Sequence, residues 1–182
     1  MMSGKTCMKA LTVIVVSLGM PAGAALAGDN YAEIHVGDFD EFESGGGVAV
    51  SWGFTDTLRG FGSFSAYDHL DLFEAGVGYA VMTSDNLTVE VGGALQNWDY
   101  ELGDDGSLGA HVSARFAMSE ALTLGVQGQY LVFNDDDHND GLVVGGELDY
   151  SFGGFSAFLG VDLFENFEDS QTRVHVGGRY HF

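Results

Sequence analysis

Two Asp-His dipeptides, Asp68-His69 and Asp137-His138, come nearest in this chain to catalytic spacing. A carboxylate that orients an imidazole lets the imidazole activate water, provided further acid groups face it across a cleft. Asp104-Asp105 supplies such a pair. His111 and Ser113 stand two residues apart, which in a strand puts an imidazole and a hydroxyl on one face. Asn134 to Gly141 (NDDDHNDG) offers Asp135, Asp136, Asp137 and Asp140 as hard oxygen ligands for Ca²⁺ or Mg²⁺. It lacks the glycine at the sixth position and the closing Glu of an EF-hand loop. Loosely held divalent ions at an acidic rim, bridging to anionic lipid, are therefore expected over a built metal site. No Gly-x-Ser-x-Gly elbow, Cys–His pair or H-E-x-x-H helix is present. With 27 acids in the chain, an Asp beside a His arises readily, and the expected protein is not an enzyme.

The composition narrows the elements that could position these groups. The chain has 182 residues, enough for one domain and a processed end, and a formal net charge of −21. That charge excludes nucleic acid as a partner, because binding it depends on Lys and Arg at phosphates. Cys7 is the only cysteine, which excludes a disulfide framework and a thiolate metal cluster. An apolar content of 46% is too high for a disordered acidic chain. Lys5 and Lys9, the apolar run Ala10 to Met20 and the ending Ala25-Leu26-Ala27 have the form of a cleaved signal peptide. The run is shorter than the ~20 residues a spanning helix needs. Residues 1–27 are thus expected to be a signal and 28–182 the exported domain, with no lysine and four arginines.

The remaining sequence has a period of two. Leu108, Ala110, Val112, Ala114 and Phe116 alternate with Gly109, His111, Ser113 and Arg115. Phe155, Ala157, Leu159, Val161 and Leu163 oppose Ser156, Gly160 and Asp162. The pattern predicts strands over 30–37, 46–54, 58–67, 72–82, 87–98, 108–117, 122–133, 142–150, 155–164 and 172–182. Short turns (55–57, 83–86, 118–121, 151–154) alternate with acidic connections, most of them longer (38–45, 68–71, 99–107, 134–141, 165–171). That reads as an all-β, antiparallel, up-and-down transmembrane β-barrel of ten strands, with eight as the alternative.

In such a barrel the apolar row faces lipid. The other row, largely Gly, Ser and Ala, suits a narrow interior. Aromatics near strand ends predict two interfacial girdles: Phe54, Phe116, Tyr150, Phe155, Tyr180 and Phe182 at the turns, and Tyr67, Phe73, Trp98, Tyr130 and Phe164 at the loops. Arg59, Arg115, Arg173 and Arg179 fall on the non-lipid face with Glu33, Glu74, Glu90, Glu147, Asp149 and Asp162. Charges in a narrow interior must be paired, so these ten form an expected lumenal network with His35, His111, His175 and His181 nearby. Arg115 and Arg173, paired with Glu74, Glu90 or Glu147, are the expected control points of any opening.

The last strand, Thr172 to Phe182 (TRVHVGGRYHF), resembles the C-terminal signal that outer-membrane barrels present to their assembly machinery. Gly177, Tyr180 and Phe182 fit its polar-x-Gly-x-x-apolar-x-apolar form. In length, signal and terminus the chain resembles the small bacterial outer-membrane proteins of the OmpA and OmpX type, though with ten predicted strands where those have eight. The resemblance implies a barrel in the outer membrane, among its lipids and lipopolysaccharide. The Asp-His and Asp-Asp pairs are similar to those of omptin proteases, which are much longer. His111-x-Ser113 is similar to the His-x-Ser of lipid A 3-O-deacylases, where Asn follows in place of Ala114. The leading expectation is a structural barrel or a narrow, cation-preferring pore for small solutes. A surface-loop binding or adhesion module is the alternative.

Overall fold

A computed structural model describes residues 30–40, 44–100, 103–134, 140–165 and 170–182. The signal segment, and most of the Asn134 to Gly141 loop, lie outside the described residues. Ten strands run in chain order: β1 (Tyr31–Phe39), β2 (Ser44–Gly53), β3 (Leu58–Tyr67), β4 (Leu70–Thr83), β5 (Leu87–Tyr100), β6 (Gly103–Ala117), β7 (Leu122–Phe133), β8 (Gly141–Phe152), β9 (Phe155–Glu165) and β10 (Gln171–His181). Each pairs antiparallel with its chain neighbours, and β1 pairs with β10, with Tyr31 opposite His181 and Phe39 opposite Arg173. The sheet is a closed, up-and-down barrel of ten strands rather than eight.

Closure satisfies every strand edge, and the alternation then assigns each row to a side. The apolar row lies outside, with Val36 60% exposed and Leu95 64% exposed. One β-bulge between Ala80 and Met82 turns Val81 and Met82 outward together. The short turns are closed by their own hydroxyls. Thr55 accepts from the Leu58 amide at 3.0 Å, Ser84 from that of Leu87 at 3.2 Å, and Ser119 from that of Leu122 at 3.1 Å. Between β8 and β9, Gly153 takes φ +75°, which a two-residue hairpin requires.

The strands reach further toward the loop end than the hydropathy pattern predicts. Trp98 pairs with Asp105, Asp99 with Asp104 and Tyr100 with Gly103, so the expected 99–107 loop narrows to 101–102. Asp38, Asp71 and Glu165 likewise stand in strands rather than loops. Ladder hydrogen bonds, not alternating hydropathy, hold these ends, and acids at a rim do not interrupt them.

The girdle expectation needs one correction. Phe54, Phe73, Phe116, Tyr130, Tyr150, Phe155, Tyr180 and Phe182 are exposed on the outer surface. Tyr67, Trp98 and Phe164 instead turn inward and are 6%, 1% and 4% exposed. With Phe39, Leu70, Leu72, Leu131, Phe133 and Val143 they form an apolar cluster inside the loop end of the barrel. The parity of each strand dictates this. Trp98 shares the row of Glu90 and Gln96, and Phe164 that of Asp162.

Candidate functional site in the barrel lumen

The inward row between the apolar cluster and the turns is polar, and it surrounds a cavity of about 260 Å³ lined by residues from all ten strands. A second cavity of about 200 Å³ lies at the turn end, lined by Ser84, Asp85, Asn86 and Thr123. Arg59 and Arg115 border both. Leu72, Trp98, Val143 and Phe164 border the larger cavity on the loop side. The lumen is therefore a polar chamber between a turn-end vestibule and an apolar ceiling.

Three arginines organise the chamber wall. At the turn end, Arg59 Nε donates to both carboxylate oxygens of Glu90 at 2.8 Å, and Arg59 Nη1 donates to Ser51 at 3.2 Å. In the middle, Arg179 Nε donates to Glu33 at 2.7 Å, its Nη1 and Nη2 donate to Glu147 at 2.5 Å, and Nη1 reaches Asp149 at 3.0 Å. Its guanidinium also lies 4.1 Å from the ring centroid of Phe158. Toward the loops, Arg173 Nη2 donates to Asp162 at 2.6 Å, and the guanidinium lies 5.6 Å from the Phe164 centroid.

These pairs differ from the expected ones. Glu90 takes Arg59, Glu147 takes Arg179, and Arg173 takes Asp162 in place of Glu74, Glu90 or Glu147. Glu74 accepts hydrogen bonds from two amides, Gln96 Nε2 at 3.0 Å and Gln129 Nε2 at 3.1 Å. Arg115 lines the vestibule wall with Arg59 and Glu90. His35 bridges Glu33 at 3.0 Å and Ser65 at 3.1 Å, and its ring lies 6.0 Å from that of His175. His181 meets Ser156 at 3.0 Å, whose hydroxyl also donates to Asp149 at 2.9 Å. Gln96, Gln127, Gln129, Ser51, Ser65 and Ser156 are members that charge alone did not mark. Their parity with the charged residues of their own strands is the signal that finds them.

Many of these contacts join second-neighbour strands across a glycine on the strand between. A Cβ on Gly78 of β4 would meet the carboxylate of Glu90, with Arg59 Nε 3.5 Å away. One on Gly47 of β2 would come within 2.6 Å of Ser65 Oγ and 2.8 Å of His35 Nε2. One on Gly145 of β8 would meet the carboxylate of Asp162 and come within 3.0 Å of Gln127 Nε2. The bare backbone at these three glycines lets long side chains lie flat along the wall, so Arg59 reaches Glu90 and Gln127 reaches Asp162 without crossing the chamber.

Among the described residues the catalytic candidates do not assemble. Asp68 and His69 form an exposed two-residue connection between β3 and β4, while Asp137 and His138 lie outside the described residues. Asp104 is exposed outside and Asp105 is buried inside, because successive strand residues face opposite ways. His111 and Ser113 both line the chamber. Of the four candidate metal ligands, Asp135, Asp136 and Asp137 lie outside the described residues, and Asp140 accepts a hydrogen bond from Tyr130 Oη at 2.7 Å. No cluster of three or more potential metal ligands occurs among the described residues. On the outer face of β10, Tyr180 and Phe182 are exposed beyond Gly178, and Gly177 faces in beneath Phe158.

No protein family model and no curated protein sequence matches the chain. The fold is similar to that of a KdgM porin (12% identity, 84% of this chain and 99% of that one, TM-score 0.57). It is also similar to a NanC porin (11% identity, 83% of this chain and 100% of that one, TM-score 0.58). A bacterial polysaccharide outer membrane secretin covers 76% of this chain and 56% of its own length, at 8% identity and TM-score 0.53. At these identities the likeness is one of fold. These neighbours are porins and a secretin, and none of them ties the chain to the OmpA and OmpX type.

Proposed function

We propose that this chain is an outer-membrane barrel whose lumen is a narrow, cation-preferring path for small solutes, closed at the loop end by the apolar cluster. The hollow chamber carries this reading. The charges of Arg59, Arg173 and Arg179 are paired along the wall rather than across it, which leaves the chamber between them open. The apolar outer belt supports a lipid setting, because an apolar surface this extensive is not tolerated in water. The exposed terminal row of β10 supports delivery by the outer-membrane assembly machinery. Seven inward-facing acids, Asp105 among them, against four arginines favour cations. The KdgM porin has been solved with oligogalacturonate, an anionic saccharide that this acid-rich wall would repel.

The ceiling, rather than the arginine pairs, is the constriction. An apolar ring in a narrow pore gates by excluding water. Truncating Phe164 to Ala should raise single-channel conductance in a planar bilayer severalfold over the wild type, with cation selectivity retained. A folded F164A barrel with no current would refute the path and leave a plugged scaffold. An adhesion role has little surface to use at two of the five loop-end connections, since that between β3 and β4 is two residues long and only residues 101–102 separate β5 from β6.

A further inference from the structure

The lumenal acids are not equivalent. Glu33, Glu147 and Asp149 share Arg179, Glu90 takes Arg59, and Asp162 takes Arg173. Glu74 is held only by neutral donors, and both its bonds fall on one oxygen, Oε1. Its other oxygen takes neither amide, and the residue is a half-buried part of the chamber wall. The negative charge of Glu74 is therefore the one in this set that no guanidinium compensates.

Its position is as particular as its pairing. Glu74 stands opposite Gln96, one inward step below the Leu72–Trp98 pair of the ceiling. A fixed chain of donors sets the two amides around it. Trp98 Nε1 donates to Gln96 Oε1 at 3.0 Å, and Gln96 Nε2 donates to Glu74 and, at 3.2 Å, to Gln129 Oε1. Gln129 Nε2 then returns to Glu74. Each amide oxygen is occupied, so each amide turns one N–H to the carboxylate, which is fixed at the threshold of the constriction. Any ion crossing between chamber and ceiling passes it.

We propose that Glu74 is the cation-selecting residue of this lumen, and that its carboxylate, oriented by the amides of Gln96 and Gln129, draws a monovalent cation to its second oxygen beneath Trp98. The inference builds on the pore reading, but its binding half stands apart from conduction. Trp98 is one of two tryptophans in the chain, so in a W52F background it reports on the site alone. Thallium(I), a heavy monovalent cation that quenches indole fluorescence, is the probe. Titrating thallium(I) nitrate into the detergent-folded W52F barrel should give saturable quenching. Saturation should disappear with E74Q added and persist with E90Q or E74D added. Equal quenching with and without E74Q would overturn the site.

Conduction supplies the second arm. In an F164A background, E74Q should reduce the K⁺ over Cl⁻ permeability ratio roughly sevenfold, because a unit charge about 7 Å from the path shifts the two ions by about RT each in opposite senses even at the dielectric constant of water. An unchanged reversal potential in E74Q, with current flowing, would overturn the selecting role. A folded F164A barrel that binds thallium saturably but passes no current would keep the site and refute the pore reading alone.

Discussion

Replacing Arg179 with Met tests whether wall pairing holds the interior together. The Arg179 side chain is 7% exposed and donates four hydrogen bonds to three carboxylates. Methionine keeps much of the stem's apolar volume and removes the charge. Glu33 retains His35, and Asp149 retains Ser156. Glu147, with its side chain 24% exposed, has only Arg179 in the wall. Breaking a buried pair by removing one partner costs about 3–5 kcal/mol. Urea unfolding of the barrel in lipid vesicles, followed by tryptophan fluorescence, measures this. R179M should lose about 3–5 kcal/mol, and R179M/E147Q should recover most of the loss. A loss under about 1 kcal/mol, or no recovery in the double variant, would refute the reasoning.

The glycine saddles and the last residue give two more tests. Gly78→Val puts a side chain into the Arg59–Glu90 pair and should cost about 1–3 kcal/mol in the same unfolding assay. Gly146→Ala, whose Cβ would meet nothing nearer than the Gly125 carbonyl at 3.9 Å, should stay within about 0.5 kcal/mol of the wild type. Phe182→Ala, altering an exposed outer residue, should lower the amount of barrel in the outer-membrane fraction of cells severalfold while refolding in detergent is unchanged. Equal loss in both settings would make Phe182 a packing residue rather than part of an assembly signal.

The strands were legible because a closed barrel imposes one rule on every residue. Alternation across ten segments, with short turns between pairs, leaves little freedom once the sheet must close. The same parity separates Arg179 and Glu147 from Val176 and Leu148 without any coordinates. What parity cannot supply is the partner. Whether Arg173 meets Asp162 or Glu147 depends on the stagger between β10 and its neighbours, a property of the closed sheet and not of either strand alone. The three misplaced aromatics have a different origin. Residue type and height along the strand place Tyr67, Trp98 and Phe164 in a girdle, because an aromatic near a strand end suggests one. Counting by twos from Arg59, Glu90 and Asp162 turns each of them inward. The acidic strand ends were missed because hydropathy marks what a residue is buried against, whereas ladder pairing at a rim needs no burial.

On the proposed pore reading, gating and selection fall on different residues of one lumen. The arginine pairs have little freedom to move: each guanidinium lies along the wall over a glycine or an aromatic face, and releasing it strands buried carboxylates. A gate built from them would need several kcal/mol at every opening. The apolar ceiling has no such constraint. Its side chains are held by dispersion and exclusion of water, which rotamer changes can rearrange in small steps. Selection needs the opposite property, a charge that stays fixed and without a guanidinium beside the path, and Glu74 meets that condition where Glu33, Glu90, Glu147, Asp149 and Asp162 do not. Trp98 couples the two, since its indole belongs to the ceiling while its N–H orients the amide that holds Glu74. Widening the ceiling at Phe164 should therefore raise current and leave selectivity intact, whereas removing Trp98 should change both together.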